Sequence, residues 1–244
     1  MRSLGKRGPF HVSALPTDHA KSVLVIAHRG ASAYEHQNSL AAFRAAVRLG
    51  AGGIELDIHG TSDGALVVHH EPMLGGRPIR ELSVAMVSRH RLPNGEPVPT
   101  LPEALVAAGR ECRVFVEVKS LAPPHDAALF AALDGGPAPA NYHVHGFDHR
   151  IVRRLTAARS GLVGGVLSAS YPLDPWRQVS EAGARELWQQ APLIDAALVD
   201  GAHQRGIGLY AWTVDDPVLA RLLAAMGVHG ICTNRPDVIH QALS

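Results

Sequence analysis

The apolar run at residues 25–27 ends on three residue types that a core strand seldom carries: His28, Arg29 and Gly30. A histidine side chain exchanges protons near neutral pH. An arginine side chain offers a planar fork of N–H donors that fits the oxygens of a phosphate group. The sequence therefore predicts a strand that delivers a proton-transfer group and an anion-binding group to one place.

A second short run, at residues 66–69, leads into another imidazole, His70. Two imidazoles on opposite sides of a scissile bond can divide the roles of general base and general acid. The chain contains fifteen histidines, and we select His28 and His70 because of their positions at strand ends. We expect structural roles for three others that lie near strand ends: His59, His69 and His145.

Acidic residues share one face of two further predicted strands. In GGIELDIHG, Glu55 and Asp57 alternate with apolar residues, and in RVFVEVKS, Glu117 alternates with valines. Three converging carboxylates repel one another and are costly to desolvate, and a hard divalent cation removes that penalty. The pattern predicts a metal site for Mg²⁺ or Ca²⁺, with Mn²⁺ as a further candidate.

Fixed positive charges accompany these acids. Arg29 and Lys119 can bind anionic oxygens, and beside a divalent cation they suit a tetrahedral anionic group, for which phosphate is the natural candidate. The alternative is that the three acids only form ion pairs with Arg29, Arg113 and Lys119.

The elements that position these residues alternate along the chain. β-rich runs lie at residues 23–27, 53–59, 66–69, 114–118, 142–145, 162–167, 185–188, 207–213 and 230–233. Helical patterns include residues 39–49, 102–108, 148–158, 192–204 and 217–226, with Ser39 and Asp148 as N-caps and Pro102, Pro192 and Pro217 in first turns. This alternation predicts a parallel sheet. Roughly eight strand–helix units predict a closed α/β barrel, the (β/α)8 TIM barrel, with its active site at the carboxyl ends of the strands.

One segment interrupts the alternation. Asp63-Gly64 between two alternating runs predicts a hairpin, and the Pro- and Gly-rich stretch that follows delays the next helix. We expect residues 59–100 to form a small insertion after the second strand, above the barrel mouth, where it contacts substrate. Residues 1–20 are predicted to be a flexible N-terminal tail, and residues 21–244 a single domain.

Composition limits the classes of partner. The 244 residues are 46% hydrophobic and carry a net charge of +1, with no basic block that would indicate a nucleic-acid partner. No apolar run approaches the length of a membrane span, so we expect no stable membrane insertion. Cys112 and Cys232 lack a motif spacing, and we interpret them as buried free thiols of a cytoplasmic protein.

Taken in order, the motifs resemble those of one enzyme family. HRG, NSLAAF, GGIELDIHGTSDGALVVHHEP, VFVEVK, WTVDD and GICTNRP follow one another over residues 23–237, as in the glycerophosphodiester phosphodiesterase family. The resemblance implies a (β/α)8 barrel and metal-dependent hydrolysis of glycerophosphodiesters to glycerol 3-phosphate and an alcohol. It also implies roles: catalytic for His28 and His70, metal-binding for Glu55, Asp57 and Glu117, phosphate-binding for Arg29 and Lys119, and pocket-lining for Trp212.

One departure of the chain from the usual family pattern lies in the loop before the first predicted helix. Where members of the family usually carry Pro-Glu-Asn-Thr, this sequence has His36, Gln37, Asn38 and Ser39. Gln37 keeps a carbonyl oxygen but loses the charge. If the usual acid only orients Arg29 or contacts the metal indirectly, Gln37 can replace it, and if that acid is a ligand, metal affinity falls.

Two other functions compete with this hypothesis. A related enzyme could act on lysophospholipids and release the head group. A broad, exposed apolar mouth would favour it, but the loop at residues 71–100 offers Met73, Leu74 and Leu82 and no aromatic platform. The chain could also be a phosphate-ligand binding protein whose catalysis has decayed, as Gln37 would suggest. Intact histidines and acids argue against decay.

Overall fold

Eight parallel strands of the chain close into a barrel. The computed structural model describes residues 23–244, so the predicted tail at residues 1–20 lies outside the described residues. β1 hydrogen-bonds to both β2 and β11, which closes the ring β1-β2-β6-β7-β8-β9-β10-β11. The strands are β1 (Leu24–His28), β2 (Gly53–Gly60), β3 (Leu66–Val68), β4 (Met73–Leu74), β5 (Arg77–Pro78), β6 (Arg113–Ser120), β7 (Tyr142–Gly146), β8 (Val163–Ser168), β9 (Glu186–Gln190), β10 (Gly208–Trp212) and β11 (Gly230–Thr233).

Helices follow the barrel strands, as the alternating pattern predicts. They are α1 (Leu40–Arg48), α2 (Val84–Val87), α3 (Leu101–Ala108), α4 (Asp126–Gly135), α5 (His149–Ala158), α6 (Pro175–Glu181), α7 (Ala196–Arg205), α8 (Pro217–Met226) and α9 (Pro236–Leu243). Ser39 and Asp148 cap α1 and α5 through their side chains. Both predicted N-caps are therefore confirmed, and the (β/α)8 TIM barrel is the observed fold.

One predicted helix start was wrong. Pro192 lies in a single 3₁₀ turn, Ala191–Leu193, and α7 begins later, at Ala196. Asp195 caps α7 by accepting a hydrogen bond from Leu198 N–H at 2.8 Å. Aspartate is a strong N-cap. Proline suits a short 3₁₀ turn as well as the first turn of an α-helix, so its presence does not mark the start of α7.

The two faces of the barrel strands have different environments. Outward side chains such as Leu56 and Val116 are fully buried in a core shared with the helices. Inward side chains include Phe115, Trp188 and Tyr210, which fill the lumen of the barrel. Since residues alternate between faces, the acids of β2 and β6 point inward, as predicted.

The segment between β2 and α3 forms a small structure of its own. β3 pairs antiparallel with β2, and β4 with β5. A separate hydrophobic cluster, which we call the insertion core, supports the segment and comprises Val67, Ile79, Leu82, Val87, Leu92 and Val98. Leu82 is only 2% exposed, so it does not contribute to the apolar mouth that would favour the lysophospholipid alternative. Within residues 23–244, no helix combines the length and hydrophobicity that a membrane span requires.

Candidate active site

The selected residues meet in a cavity at the carboxyl ends of the strands. The cavity has a volume of about 190 Å³. Its lining includes both histidines, the cations, two of the three acids and the predicted tryptophan: His28, Arg29, Glu55, His70, Glu117, Lys119 and Trp212. Asp57 lies behind this surface, fully buried. One end of the barrel therefore collects every residue that the sequence singled out for chemistry.

The turn after β1 explains the glycine of the HRG motif. Arg29 and Gly30 both have positive φ, 55° and 78°, a region that favours glycine. A Cβ atom at Gly30 would lie 2.6 Å from the backbone carbon of Ala42 in α1, so only glycine fits. The turn points the Arg29 N–H at Glu55, whose Oε2 accepts its hydrogen bond at 3.0 Å.

The three acids form a compact, buried cluster. Glu55, Asp57 and Glu117 each offer an oxygen, and these oxygens lie within 4.8 Å of one another. Asp57 is held by two cations, with Arg29 Nε at 3.1 Å and Lys119 Nζ at 3.3 Å. Lys119 Nζ also lies 2.7 Å from Glu117 Oε1. If all three acids are ionised, three negative charges face two fixed positive charges, which leaves one negative charge in excess.

The acids titrate abnormally because they are crowded and buried. Burial, reinforced by Asp57 and Glu117, raises the pKa of Glu55 well above its ordinary value. Burial and the neighbouring Asp57 raise the pKa of Glu117 to about 7. Burial also opposes ionisation of Asp57, but Lys119 and Arg29 outweigh it and lower the pKa of this carboxyl.

The cluster fits a hard divalent cation. Carboxylate oxygens are the ligands that such ions prefer, and a cation would offset both the burial and the mutual repulsion that raise the pKa values of Glu55 and Glu117. Of the three cations named in the ion-pair alternative, Arg29 and Lys119 do pair with the acids, whereas Arg113 lies elsewhere. The Arg113 guanidinium lies 6.0 Å from the Phe115 ring, at the opposite end of β6 from Lys119.

Gln37 and Asn38 support the site from behind. The Arg29 Nη1 donates a hydrogen bond to Gln37 Oε1 at 2.6 Å. Asn38, at a positive φ of 58°, donates from Nδ2 to Asp57 Oδ2 at 2.8 Å and accepts from the Asp57 N–H. Gln37 therefore orients the guanidinium, and Asn38 orients the central carboxylate.

A chain of hydrogen bonds fixes the ring of His28. The Nδ1 of His28 lies 2.8 Å from Asn234 Oδ1, and Asn234 Nδ2 donates to Asp215 Oδ2 at 2.6 Å. Asp215 also accepts from the Asn234 N–H and from the Thr233 hydroxyl. Burial, helped by the nearby Arg29, lowers the pKa of His28 to about 4. His28 is therefore a neutral imidazole at physiological pH.

His70 is held by two different contacts. Its Nδ1 lies 2.7 Å from Oε1 of the exposed Glu71. Its backbone carbonyl lies 3.2 Å from Nε2 of the buried His59, whose Nδ1 is 2.9 Å from the Ser120 hydroxyl. His59 thus ties the end of β3 to β6, which is consistent with the structural role that we expected for it.

Aromatic residues complete one wall of the cavity. Trp212 donates from Nε1 to the Trp188 carbonyl at 2.9 Å. Its ring meets Phe147 edge-on, with centroids 5.6 Å apart. Phe147 is 49% exposed, so it forms the solvent side of this wall, with Lys119 Nζ 6.0 Å from its ring centroid.

A larger depression lies beside this cavity but lacks its chemistry. It is open to solvent, has a volume of about 480 Å³, and is lined in part by Ser32, Glu35, His36 and Gln37. None of the three clustered acids and neither selected histidine lines it. We therefore take the smaller cavity to be the candidate active site.

Comparison with known proteins agrees with this geometry. Residues 28–238 match the model of the glycerophosphoryl diester phosphodiesterase family. The chain belongs to this family. The glycerophosphodiester phosphodiesterase of Caldanaerobacter subterraneus is 30% identical over 233 residues, which cover 88% of this chain and 96% of the relative. The prediction of a phosphoric diester hydrolase is thereby confirmed.

Solved structures show the same barrel. A glycerophosphodiester phosphodiesterase from Parabacteroides distasonis superposes with a TM-score of 0.82 at 26% identity, covering 91% of this chain and 97% of that chain. A phosphodiesterase from Oleispira antarctica, solved in complex with the product sn-glycerol-3-phosphate, has a TM-score of 0.84 at 22% identity, with the same coverage of the two chains.

Sequence reasoning missed several residues of this glycerophosphodiester phosphodiesterase site. Asp215 and Asn234 lie within the motifs WTVDD and GICTNRP, so the motifs marked the positions without revealing the contact with His28. Phe147 had no local signal. His145 lines the cavity, although we expected only a structural role for it.

Proposed function

We propose that this enzyme hydrolyses glycerophosphodiesters to glycerol 3-phosphate and an alcohol, with a divalent cation at Glu55, Asp57 and Glu117. The observation that carries the proposal is the meeting of His28, His70 and the acid cluster at one cavity. A buried cluster of carboxylates beside two imidazoles and two cations suits the hydrolysis of an anionic diester.

The cationic side chains bind and orient the phosphoryl group in this proposal. Arg29 is held by Gln37 and Asp57, and Lys119 by Asp57 and Glu117, so both are ordered before substrate arrives. When bound, the cation adds Lewis-acid stabilisation of the charge on the phosphoryl oxygens. Preorganised charge of this kind stabilises the transition state at little reorganisation cost.

The hydrogen bonds around His28 support a role as the general base. A carboxylate only accepts hydrogen bonds, so Asp215 requires the amide nitrogen of Asn234 on its side. The Asn234 oxygen then faces His28, and Nδ1 must carry the ring proton. Nε2 is left with a lone pair that can accept a proton.

His70 serves as the general acid in the proposed step. His28 Nε2 takes a proton from the nucleophile, which is water or the glycerol hydroxyl of the substrate, as a new P–O bond forms. The P–O bond to the alcohol breaks, and His70 gives its proton to the leaving oxygen. If the glycerol hydroxyl attacks, water then opens the resulting cyclic diester to glycerol 3-phosphate.

The test is turnover of glycerophosphocholine and of lysophosphatidylcholine, with identification of the products. We expect the wild-type enzyme to release glycerol 3-phosphate from the first substrate and to prefer it to the second. His28→Ala and His70→Ala should each lower kcat by about 100-fold or more, whereas His69→Ala should have a smaller effect. Preference for the lysophospholipid, or a severe loss only in His69→Ala, would contradict the proposal.

A further inference from the structure

His145 is a buried histidine with no hydrogen-bond partner among the described residues. It points inward from β7, is 1% exposed, and lines the active-site cavity. Neither of its ring nitrogens makes a hydrogen bond within residues 23–244. The carboxylate that faces it, Glu55 Oε1, lies 3.9 Å from Nε2, which is beyond hydrogen-bond distance.

The packing around His145 fixes its ring in the cavity wall. The ring meets Trp188 edge-on, with centroids 4.4 Å apart. A Cβ atom at Gly165 would lie 3.1 Å both from Cβ of His145 and from the Trp188 ring, so the glycine leaves the space that these rings occupy. His145 is therefore a rigid feature of the wall.

The chemistry of His145 selects the kind of group that it can bind. An imidazole ring presents one donor and one acceptor, and neither is used by a partner among the described residues. A hydroxyl group, which both donates and accepts, matches either tautomer. A phosphate oxygen would instead bind to the fixed positive charges of Arg29 and Lys119.

We infer that His145 is a substrate-binding residue that hydrogen-bonds a free hydroxyl group of the glycerol moiety, in the gap beside Glu55. Nε2 and the Glu55 oxygen are 3.9 Å apart, which is close enough for one hydroxyl oxygen to lie about 2.8 Å from both. Buried polar groups are generally satisfied, and this hydroxyl supplies the missing partner. The inference rests on the proposed function and extends it to recognition of the glycerol moiety.

A role for His145 as a metal ligand is a distinct alternative. Among the described residues, the group whose ligand atoms lie within 4.8 Å of one another consists of Glu55, Asp57 and Glu117 and does not include His145. The hydroxyl-binding role therefore predicts that metal affinity is insensitive to substitution of His145.

The test compares a glycerophosphodiester with its two deoxy analogues, each lacking one of the free glycerol hydroxyls and all sharing one alcohol leaving group. We expect wild-type kcat/KM to fall at least tenfold when the hydroxyl bound by His145 is missing. His145→Phe should abolish that preference, and His145→Gln, which keeps a donor and an acceptor, should retain part of it. His240→Phe, a matched change at an exposed position on α9, should behave as wild type.

Several outcomes would overturn the inference. An equal loss of kcat/KM for all three substrates in both His145 variants, with melting temperatures recorded to check folding, would indicate a purely structural role. A fall in manganese affinity of tenfold or more in His145→Gln, measured by calorimetry, would identify a metal ligand. Failure of the wild-type enzyme to hydrolyse any of the three would overturn the proposed function as well, whereas turnover without hydroxyl preference would overturn this inference alone.

Discussion

Single residues in this enzyme act through partners that lie far away in the sequence. His28 is positioned by Asn234, which is 206 residues away, and Asn234 in turn by Asp215. The contact exists because β1 and β11 are neighbours in the closed barrel. Removing a positioning residue should therefore affect turnover only as long as His28 is present.

Asp215→Asn tests this dependence. The substitution places a donor against a donor in the hydrogen-bond chain, so we expect kcat to fall about tenfold with little change in KM. In a His28→Ala background the same substitution should have almost no further effect, because residues of one network are not additive. Steady-state kinetics of the four proteins give the answer. An equal loss in both backgrounds would show that Asp215 acts independently of His28.

The buried His145 should also make the enzyme sensitive to acid. Because its pKa is about 3 in the folded protein and about 6.5 when unfolded, the unfolded state binds a proton that the folded state does not. The stability that this difference in pKa contributes to the folded state is fully present above pH 6.5 and is lost as the pH falls toward 3. At pH 5 this loss is about 2 kcal/mol.

His145→Phe should remove that loss. Chemical denaturation in excess chelator measures the free energy of unfolding at pH 7.5 and at pH 5. The decrease between these two pH values should be about 2 kcal/mol smaller in the variant than in the wild type. His240→Phe serves as the control and should keep the wild-type pH dependence. Parallel pH dependences for wild type and His145→Phe would mean that His145 takes up a proton in the folded state.

At the scale of elements, the segment that carries His70 is supported by its own insertion core. The end of β3 is anchored to β2 and, through His59, to β6. Leu82 occupies the insertion core at 2% exposure, so its side chain contributes to the stability of this segment.

Leu82→Ala should lower the free energy of unfolding by about 2–4 kcal/mol, because it leaves a cavity in a packed cluster. Leu222→Ala provides the control, since Leu222 on α8 is 58% exposed and its truncation should cost less than about 0.5 kcal/mol. Denaturant titrations of the three proteins measure both values. A Leu82→Ala protein as stable as the control would show that the insertion core is not required for stability.

Much of the fold and part of the site could be predicted because they depend on local sequence patterns. Alternation in GGIELDIHG and RVFVEVKS determines which side chains point inward, and this was enough to place Glu55, Asp57 and Glu117 together. The start of α7 could not be decided in the same way, since both Pro192 and Asp195 are suitable for helix starts.

Contacts between distant segments were not predictable from local patterns. The pairing of Asn234 with His28 requires closure of the barrel, and the exposure of Phe147 depends on how its loop lies on the rim. His145 could have been recognised only from the absence of a partner within the packed lumen. A sequence pattern indicates the face of a strand but not whether a buried polar group is satisfied.

At the scale of the whole molecule, the barrel brings like charges together at one end and encloses them. Three carboxylates share a buried site with only two fixed cations. Burial, reinforced by the neighbouring carboxylates, raises the pKa values of Glu55 and Glu117. Metal dependence is the property that links this arrangement to catalysis in our account.

The division of the chain into a tail and one domain stays a prediction.

The most direct test is hydrolysis of glycerophosphocholine by protein freed of metal with a chelator and then titrated with Mg²⁺, Ca²⁺ or Mn²⁺. We expect no turnover without metal and recovery with at least one ion. Glu117→Gln should require at least about tenfold more of that ion, whereas Glu111→Gln, at an exposed position before β6, should match the wild type. Full release of glycerol 3-phosphate by demonstrably metal-free enzyme would contradict the account.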